Sequence, residues 1–144
     1  MKRNLLLISL FVSFSGLCQE ITEKIEWKNN IESGIEIGKN QNKEVLIYFG
    51  MDKCVPCRMI DKYAFTKTEF IDYSKKYVMI KVYDDLDKSN TENQEYVKKT
   101  RAKYEIKAVP TIVLLKNDGT TSKFFAYVKS SQELIKKIES QYEK

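Results

Sequence analysis

An α/β sandwich, one mixed sheet covered by helices on both faces, is the fold class this sequence predicts, and three observations predict it. Short apolar runs of strand length alternate along the chain with segments of helical periodicity. The run Val45-Leu46-Ile47-Tyr48-Phe49 is continuously β-branched and aromatic, the pattern of a strand buried on both sides. The chain closes with a turn signal, Asn117-Asp118-Gly119-Thr120, that joins two strand-like runs before an amphipathic helix. Alternation followed by a terminal hairpin and helix places helices on both faces of the sheet.

The elements follow in order. Within residues 21–43 the apolar positions Ile25, Trp27, Ile31 and Ile35 take on helical spacing in the second half, and Gly38-Lys39-Asn40 reads as the helix end. Glu44 opens the strand that ends at Gly50. Residues 57–63 read as a helix with Met59, Ile60 and Tyr63 on one side. Residues 66–76 hold a second short helix around Phe70, Ile71 and Tyr73, with Thr68 placed to cap it. Residues 78–83 form the next strand, and the Asp, Asn and Ser of residues 84–93 mark a loop. A helix over 92–104, strands over 111–115 and 122–128, and a serine-capped closing helix built on Leu134, Ile135 and Ile138 complete the series α-β-α-α-β-α-β-β-α. The aromatic residues Phe49, Phe65, Phe70, Phe124 and Phe125 are assigned to the core.

The first residues differ from the rest. Lys2 and Arg3 precede an apolar run from Leu5 to Val12 and the small residues Ser13, Ser15 and Gly16, the layout of a secretory signal. The run is shorter than the roughly twenty residues that span a bilayer. Residues 1–18 are therefore read as a cleaved signal and residues 19–144 as the mature domain, periplasmic or secreted. Acylation of Cys18 would ask for a small residue before it, and Leu17 is not small, so secretion is favoured over lipid anchoring. Removing residues 1–18 takes away Lys2 and Arg3 and no acidic residue, lowering the net charge from +5 to +3. The remaining lysines are interspersed with carboxylates, which argues against nucleic-acid binding.

The same cut leaves two cysteines, Cys54 and Cys57. Two thiols without a single histidine fall short of the four ligands zinc normally takes, so no metal is expected. A Cys-x-x-C pair by itself signals little. Here it follows a strand and opens a helix, and Val109-Pro110-Thr111 later begins another strand. This ordered set resembles the thioredoxin superfamily over roughly residues 25–142. Tyr48 to Cys57 and the following Asp61-Lys62-Tyr63-Ala64-Phe65-Thr66 look most like the exported thioredoxin-like group that includes the C-terminal periplasmic domain of the transmembrane reductase DsbD.

The resemblance implies a thioredoxin fold and a thiol-disulfide oxidoreductase acting on protein cysteines. Cys54 would be the attacking thiol and Cys57 the resolving thiol. Pro110 would be a cis proline whose neighbour Val109 pairs through its backbone with an extended substrate segment. No cofactor is implied, and a monomer is expected. A reductant working outside the cytosol needs a membrane electron donor, so a DsbD-type partner follows as a corollary. The alternative is a peptide-binding module of the same fold that uses the pair as a static clip.

Departures from the family pattern bear on the chemistry. Lys53 stands where cytosolic thioredoxins carry tryptophan, Val55 where they carry glycine, and Tyr48 where they carry a buried aspartate. A phenol with an ordinary pKa of about 10 is a poor base near neutrality, which leaves the proton acceptor for Cys57 unassigned. Exchange requires a thiolate, and a free cysteine ionises at about 8.5. If Cys54 caps the helix, unpaired N–H groups, the helix dipole, Lys53 and Arg58 all favour its thiolate, with Asp52 partly opposing. Pro56 suits the first helical turn, where a missing N–H is harmless. The lack of histidine near the pair places it on the reducing side, nearer thioredoxin at about −270 mV than strong oxidants at about −120 mV.

Overall fold

The computed structural model describes residues 23–143, so the proposed signal segment with Lys2, Arg3 and Cys18 lies outside the described residues. Four strands, β1 (Glu44–Met51), β2 (Tyr77–Asp84), β3 (Thr111–Leu115) and β4 (Thr121–Phe125), form one sheet in the order β2-β1-β3-β4. β1 runs parallel to β2 and antiparallel to β3, and β4 pairs antiparallel with β3, so the sheet is mixed as predicted. The helices are α1 (Ile31–Gln41), α2 (Val55–Ile60), α3 (Thr68–Ser74), α4 (Thr91–Lys103) and α5 (Ser131–Glu139). A π-helical turn, Asp61–Phe65, continues α2 without a break.

Side chains alternate across a strand, and β1 divides its residues accordingly. Leu46 and Tyr48 enter a layer with Ile60, Phe65, Phe70, Leu134 and Ile138, beneath α2, α3 and α5. Val45, Ile47 and Phe49 enter the opposite layer with Ile31 and Val97, beneath α1 and α4. Both faces are covered, which is why the β1 sequence is apolar at every position from 45 to 49 rather than at alternate ones.

An extended segment borders the sheet. The Lys28 N–H donates to the Met79 carbonyl and the Lys81 N–H to the Lys28 carbonyl, both at 2.8 Å, a parallel bridge on the outer edge of β2. It carries Trp27 against Tyr48 and Phe65, with ring centroids 6.0 and 5.0 Å away.

Several local expectations are corrected. Gly38 does not end α1. The helix runs on to Gln41 and closes on Asn42, whose left-handed backbone (φ 51°) lets its N–H reach the Gly38 and Lys39 carbonyls. Gly38 serves close packing instead, since a Cβ there would lie 2.8 Å from the Lys43 carbonyl oxygen and 2.9 Å from Val45. Thr68 is the first residue of α3, and the capping position falls to Lys67, whose side chain makes no cap bond. β4 ends at Phe125, three residues earlier than expected.

Phe49, Phe65 and Phe70 are buried as assigned, and Phe124 packs half-buried on the α5 layer. Phe125 is 48% exposed. It points to the side of the sheet where the layer under α1 and α4 includes Val113 of β3 and no β4 side chain. The serine cap of α5 is present: Ser130 Oγ accepts from the Glu133 N–H at 3.2 Å, while the Glu133 carboxylate accepts from the Lys129 N–H at 2.9 Å.

Candidate active site

The site forms where β1 runs out. The Asp52 N–H still bonds the Asp84 carbonyl at 2.8 Å, extending the β1–β2 pairing by one residue. Lys53 then takes a left-handed conformation, φ 60°, in the turn that leads into α2. Cys54 is extended and occupies the N-cap of α2, with Val55 and Pro56 in the first turn. Its Sγ accepts a hydrogen bond from the Cys57 N–H at 3.2 Å, and its carbonyl accepts from the Arg58 N–H at 3.1 Å. The sulfur thus faces the unpaired amides at the positive end of the helix, as the sequence predicts.

Cys54 and Cys57 are joined in a disulfide, with Cα atoms 5.2 Å apart. Cys57 is fully buried, Cys54 partly so, and Val55 between them is 56% exposed. The outer sulfur is the one a partner can reach.

The Val109–Pro110 bond is cis, as expected. Cys54 Sγ lies 3.8 Å from the Val109 carbonyl oxygen. A disulfide sulfur carries no proton, so this is a contact rather than a hydrogen bond in the oxidised state. The loop is held at both ends: the Pro110 carbonyl accepts from the Ala126 N–H, and the Thr111 hydroxyl donates to the Ala108 carbonyl, each at 2.8 Å. The structure therefore brings Lys53, Cys54, Pro56, Cys57, Val109 and Pro110 together at one end of the sheet.

Tyr48 is part of the core layer that also holds Ile60 and Phe65. It is fully buried, and its hydroxyl has no hydrogen-bond partner among the described residues. A Cβ built on Gly50 would come within 2.8 Å of that hydroxyl and 2.9 Å of Tyr83, so only glycine lets the phenol point toward the end of β1. Burial raises its pKa far above the ordinary phenol value, with the negative charge of Asp61 and Tyr83 adding to the effect. Tyr48 remains a neutral phenol.

Two residues that the sequence reading passed over stand next to it. Lys81 is the register partner of Tyr48 on β2. Its ammonium lies 3.5 Å from Asp61 Oδ1, 4.5 Å from the centre of the Tyr83 ring and 5.6 Å from that of Tyr48. A lysine interrupting the apolar run 78–83 was the visible signal for this arrangement. Asp61 follows Cys57 by one helical turn, and its N–H donates to the Cys57 carbonyl.

A four-stranded mixed sheet with a disulfide-bonded Cys-x-x-C at a helix start and a cis proline beside it defines a thioredoxin-like protein. Residues 31–141 match the sequence model of the thioredoxin-like domain family, and the chain belongs to that family. Among curated proteins it is 25% identical over 114 residues to the thiol:disulfide interchange protein DsbD of Campylobacter jejuni; the match covers 79% of this chain and 19% of that protein. The chain thus corresponds to about a fifth of that relative's length.

Among solved structures, the DsbH oxidoreductase superposes with a TM-score of 0.71 at 16% identity, covering 97% of this chain and 93% of its own. The oxidised C-terminal domain of Neisseria meningitidis DsbD gives 0.54 at 17% identity, covering 75% and 89%. A thioredoxin from Thermus thermophilus gives 0.61 at 16%, covering 83% and 88%. These likenesses establish the thioredoxin fold.

Proposed function

We propose that this chain is a thiol-disulfide oxidoreductase that exchanges electrons with protein cysteines through Cys54 and Cys57. The observation that carries the reading is the asymmetry of the pair: an accessible sulfur at a helix N-terminus, against a cis-proline loop, joined to a sulfur that is fully buried. In the reducing direction Cys54 attacks a substrate disulfide and forms a mixed disulfide, releasing one substrate thiolate. Cys57 then attacks Cys54 Sγ; the Cys54–Cys57 bond forms, the mixed disulfide breaks, and the second substrate sulfur leaves as a thiolate. The protein is oxidised by two electrons and the substrate is reduced by two.

Val109 serves as the backbone ledge for an extended substrate segment, by strand addition, with Pro110 holding the loop against the sulfurs. Pro56 starts the helix, and Lys53 adds positive charge at the attacking thiol. Residues 1–18 act as an export signal, and the mature domain, residues 19–144, works in the periplasm or outside the cell. Among the described residues no helix is long and apolar enough to cross a membrane. Electrons come from a membrane donor of the DsbD type, a reading supported by the similarity to a protein named for thiol:disulfide interchange.

Purified protein is expected to catalyse insulin reduction by dithiothreitol, and Cys54→Ser to abolish it; activity that survives the substitution refutes the reading. A Cys57→Ser variant expressed in the native host accumulates mixed disulfides through Cys54. Equilibration with glutathione is expected to place the pair nearer about −270 mV than about −120 mV, and a value at the oxidising end reverses the direction.

A further inference from the structure

A cavity of about 450 Å³ opens at the end of the sheet where β1 and β2 begin. The two strands start together, Glu44 beside Tyr77, so this end lies the length of β1 from the cysteines, about 25 Å at roughly 3.3 Å per residue. One wall is the extended segment 23–28 and another is the outer edge of β2 at Tyr77, Val78 and Met79. Lys28 is bonded to β2 through both its N–H and its carbonyl, but no backbone bond ties residues 23–27 to the strand. The N–H and C=O of a strand residue point to the same side, and the Met79 carbonyl accepts from Lys28. The Met79 N–H therefore faces the same gap, where no oxygen among the described residues accepts from it.

The interior is apolar, with Ile25 of the extended segment, Ile37 of α1 and Ile71 of α3 beside Val78 and Met79. Charge at the mouth is unbalanced. Lys28 is held by Glu26, and Lys75 by Glu23 and Asp72 at 2.5 and 2.8 Å. Lys24 and Lys43 also line the cavity, with no carboxylate at ion-pair distance among the described residues; Lys43 acts on Glu26 only at longer range. A backbone donor in an apolar chamber, with two uncommitted ammonium groups at the rim, is complementary to an anionic oxygen that carries a hydrocarbon tail. A passing peptide strand fits less well. The Lys28 bridge closes the ladder just beyond Met79, so the group accepting there must be the end of its molecule.

We propose that this cavity binds an aliphatic monocarboxylate of medium chain length. The carboxylate accepts from the Met79 N–H and pairs with Lys43 and Lys24, while the tail lies on Ile25, Ile37 and Ile71. This is a binding function separate from the disulfide, and the two sites stand at opposite ends of the sheet.

Trp27, the single tryptophan of the chain, lies between Glu26 and Lys28 in the wall of the cavity and serves as the reporter. Titration of the purified protein with decanoate, below its micellar range and at fixed ionic strength, is expected to change Trp27 emission saturably, with one-to-one stoichiometry by calorimetry. Affinity should rise from hexanoate to decanoate as buried methylenes accumulate, and decanol, which lacks the charge, should bind about tenfold more weakly. Lys43→Glu should weaken decanoate about tenfold and leave decanol unchanged, a split that a folding defect does not produce. Ile37→Ser should weaken both ligands.

No saturable response to decanoate overturns the proposal. So does equal binding of decanoate and decanol, which marks an unspecific apolar contact. Binding that survives Lys43→Glu combined with Lys24→Glu also overturns it, because the ligand then sits elsewhere. Failure of the exchange reading is distinguishable: Cys54→Ser should bind decanoate as the wild type does, and Lys43→Glu should reduce insulin at the wild-type rate.

Discussion

The two ends of β1 handle the same residue type in opposite ways. At the start of the strand, Glu44 accepts from the Tyr142 hydroxyl, Tyr142 meets Tyr77 at 3.2 Å, and Tyr77 meets Tyr73 at 3.3 Å. Lysines cover the chain at both ends, with Lys76 3.8 Å from the Tyr73 ring centre and Lys116 5.1 Å from that of Tyr142. β1, β2, α3 and the segment that follows α5 are tied together there, each hydroxyl having a partner. Toward the other end, Tyr48 is buried with none. A buried hydroxyl left unpaired is costly. The polar network that secures the fold and the polar groups that serve the chemistry are separated by the length of one strand.

The largest test of that separation is Cys54→Ser, expected to remove all exchange activity while leaving the urea midpoint of the reduced protein nearly unchanged. Gly50→Ala comes next: its Cβ meets Tyr48 and Tyr83 at 2.8–2.9 Å, and the overpacking should cost about 2 kcal/mol in equilibrium unfolding. Tyr77→Phe removes the middle of the tyrosine chain and should cost about 1.5 kcal/mol with exchange kinetics intact. Tyr48→Phe removes only the unpaired hydroxyl, so it is expected to be neutral or to stabilise by up to about 1 kcal/mol. Destabilisation comparable to that of Tyr77→Phe would show that the two ends are alike after all.

Alkali offers a further discrimination. Burial raises the pKa values of Tyr73, Tyr77 and Tyr142, the last being pushed up to about 12. The folded state then keeps its phenolic protons to higher pH than the unfolded state, whose tyrosines ionise near 10. Their contribution to stability is complete below about pH 10 and declines as pH climbs toward 12. Urea midpoints measured at pH 9 and pH 11 should fall, and fall less in Tyr77→Phe.

The active site was largely legible because its information is local. Cys54, Pro56 and Cys57 lie within four residues, and Val109-Pro110-Thr111 is contiguous, so spacing and residue type sufficed. The strands were equally readable, since continuous apolar runs follow from burial on both faces. Long-range pairing was not. Asp61 and Lys81 meet only because β2 pairs with β1 in the register that sets Lys81 beside Tyr48. The tyrosine chain joins positions 44, 73, 77 and 142, and nothing local marks them as neighbours. Gly38 misled for a related reason: its use is contact with Lys43 and Val45 rather than a helix stop. Phe125 was assigned inward on residue type, but only position in the sheet reveals that β4 is an edge.

The bond from the Cys57 amide to Cys54 Sγ makes the attacking sulfur part of the helix it initiates. Each change at that atom, from thiolate to mixed disulfide to internal disulfide, alters the charge and direction of the acceptor seen by one backbone proton. The Cys57 amide is thus a built-in reporter of redox state, and its nitrogen–proton resonance should distinguish the three forms without any label on a cysteine.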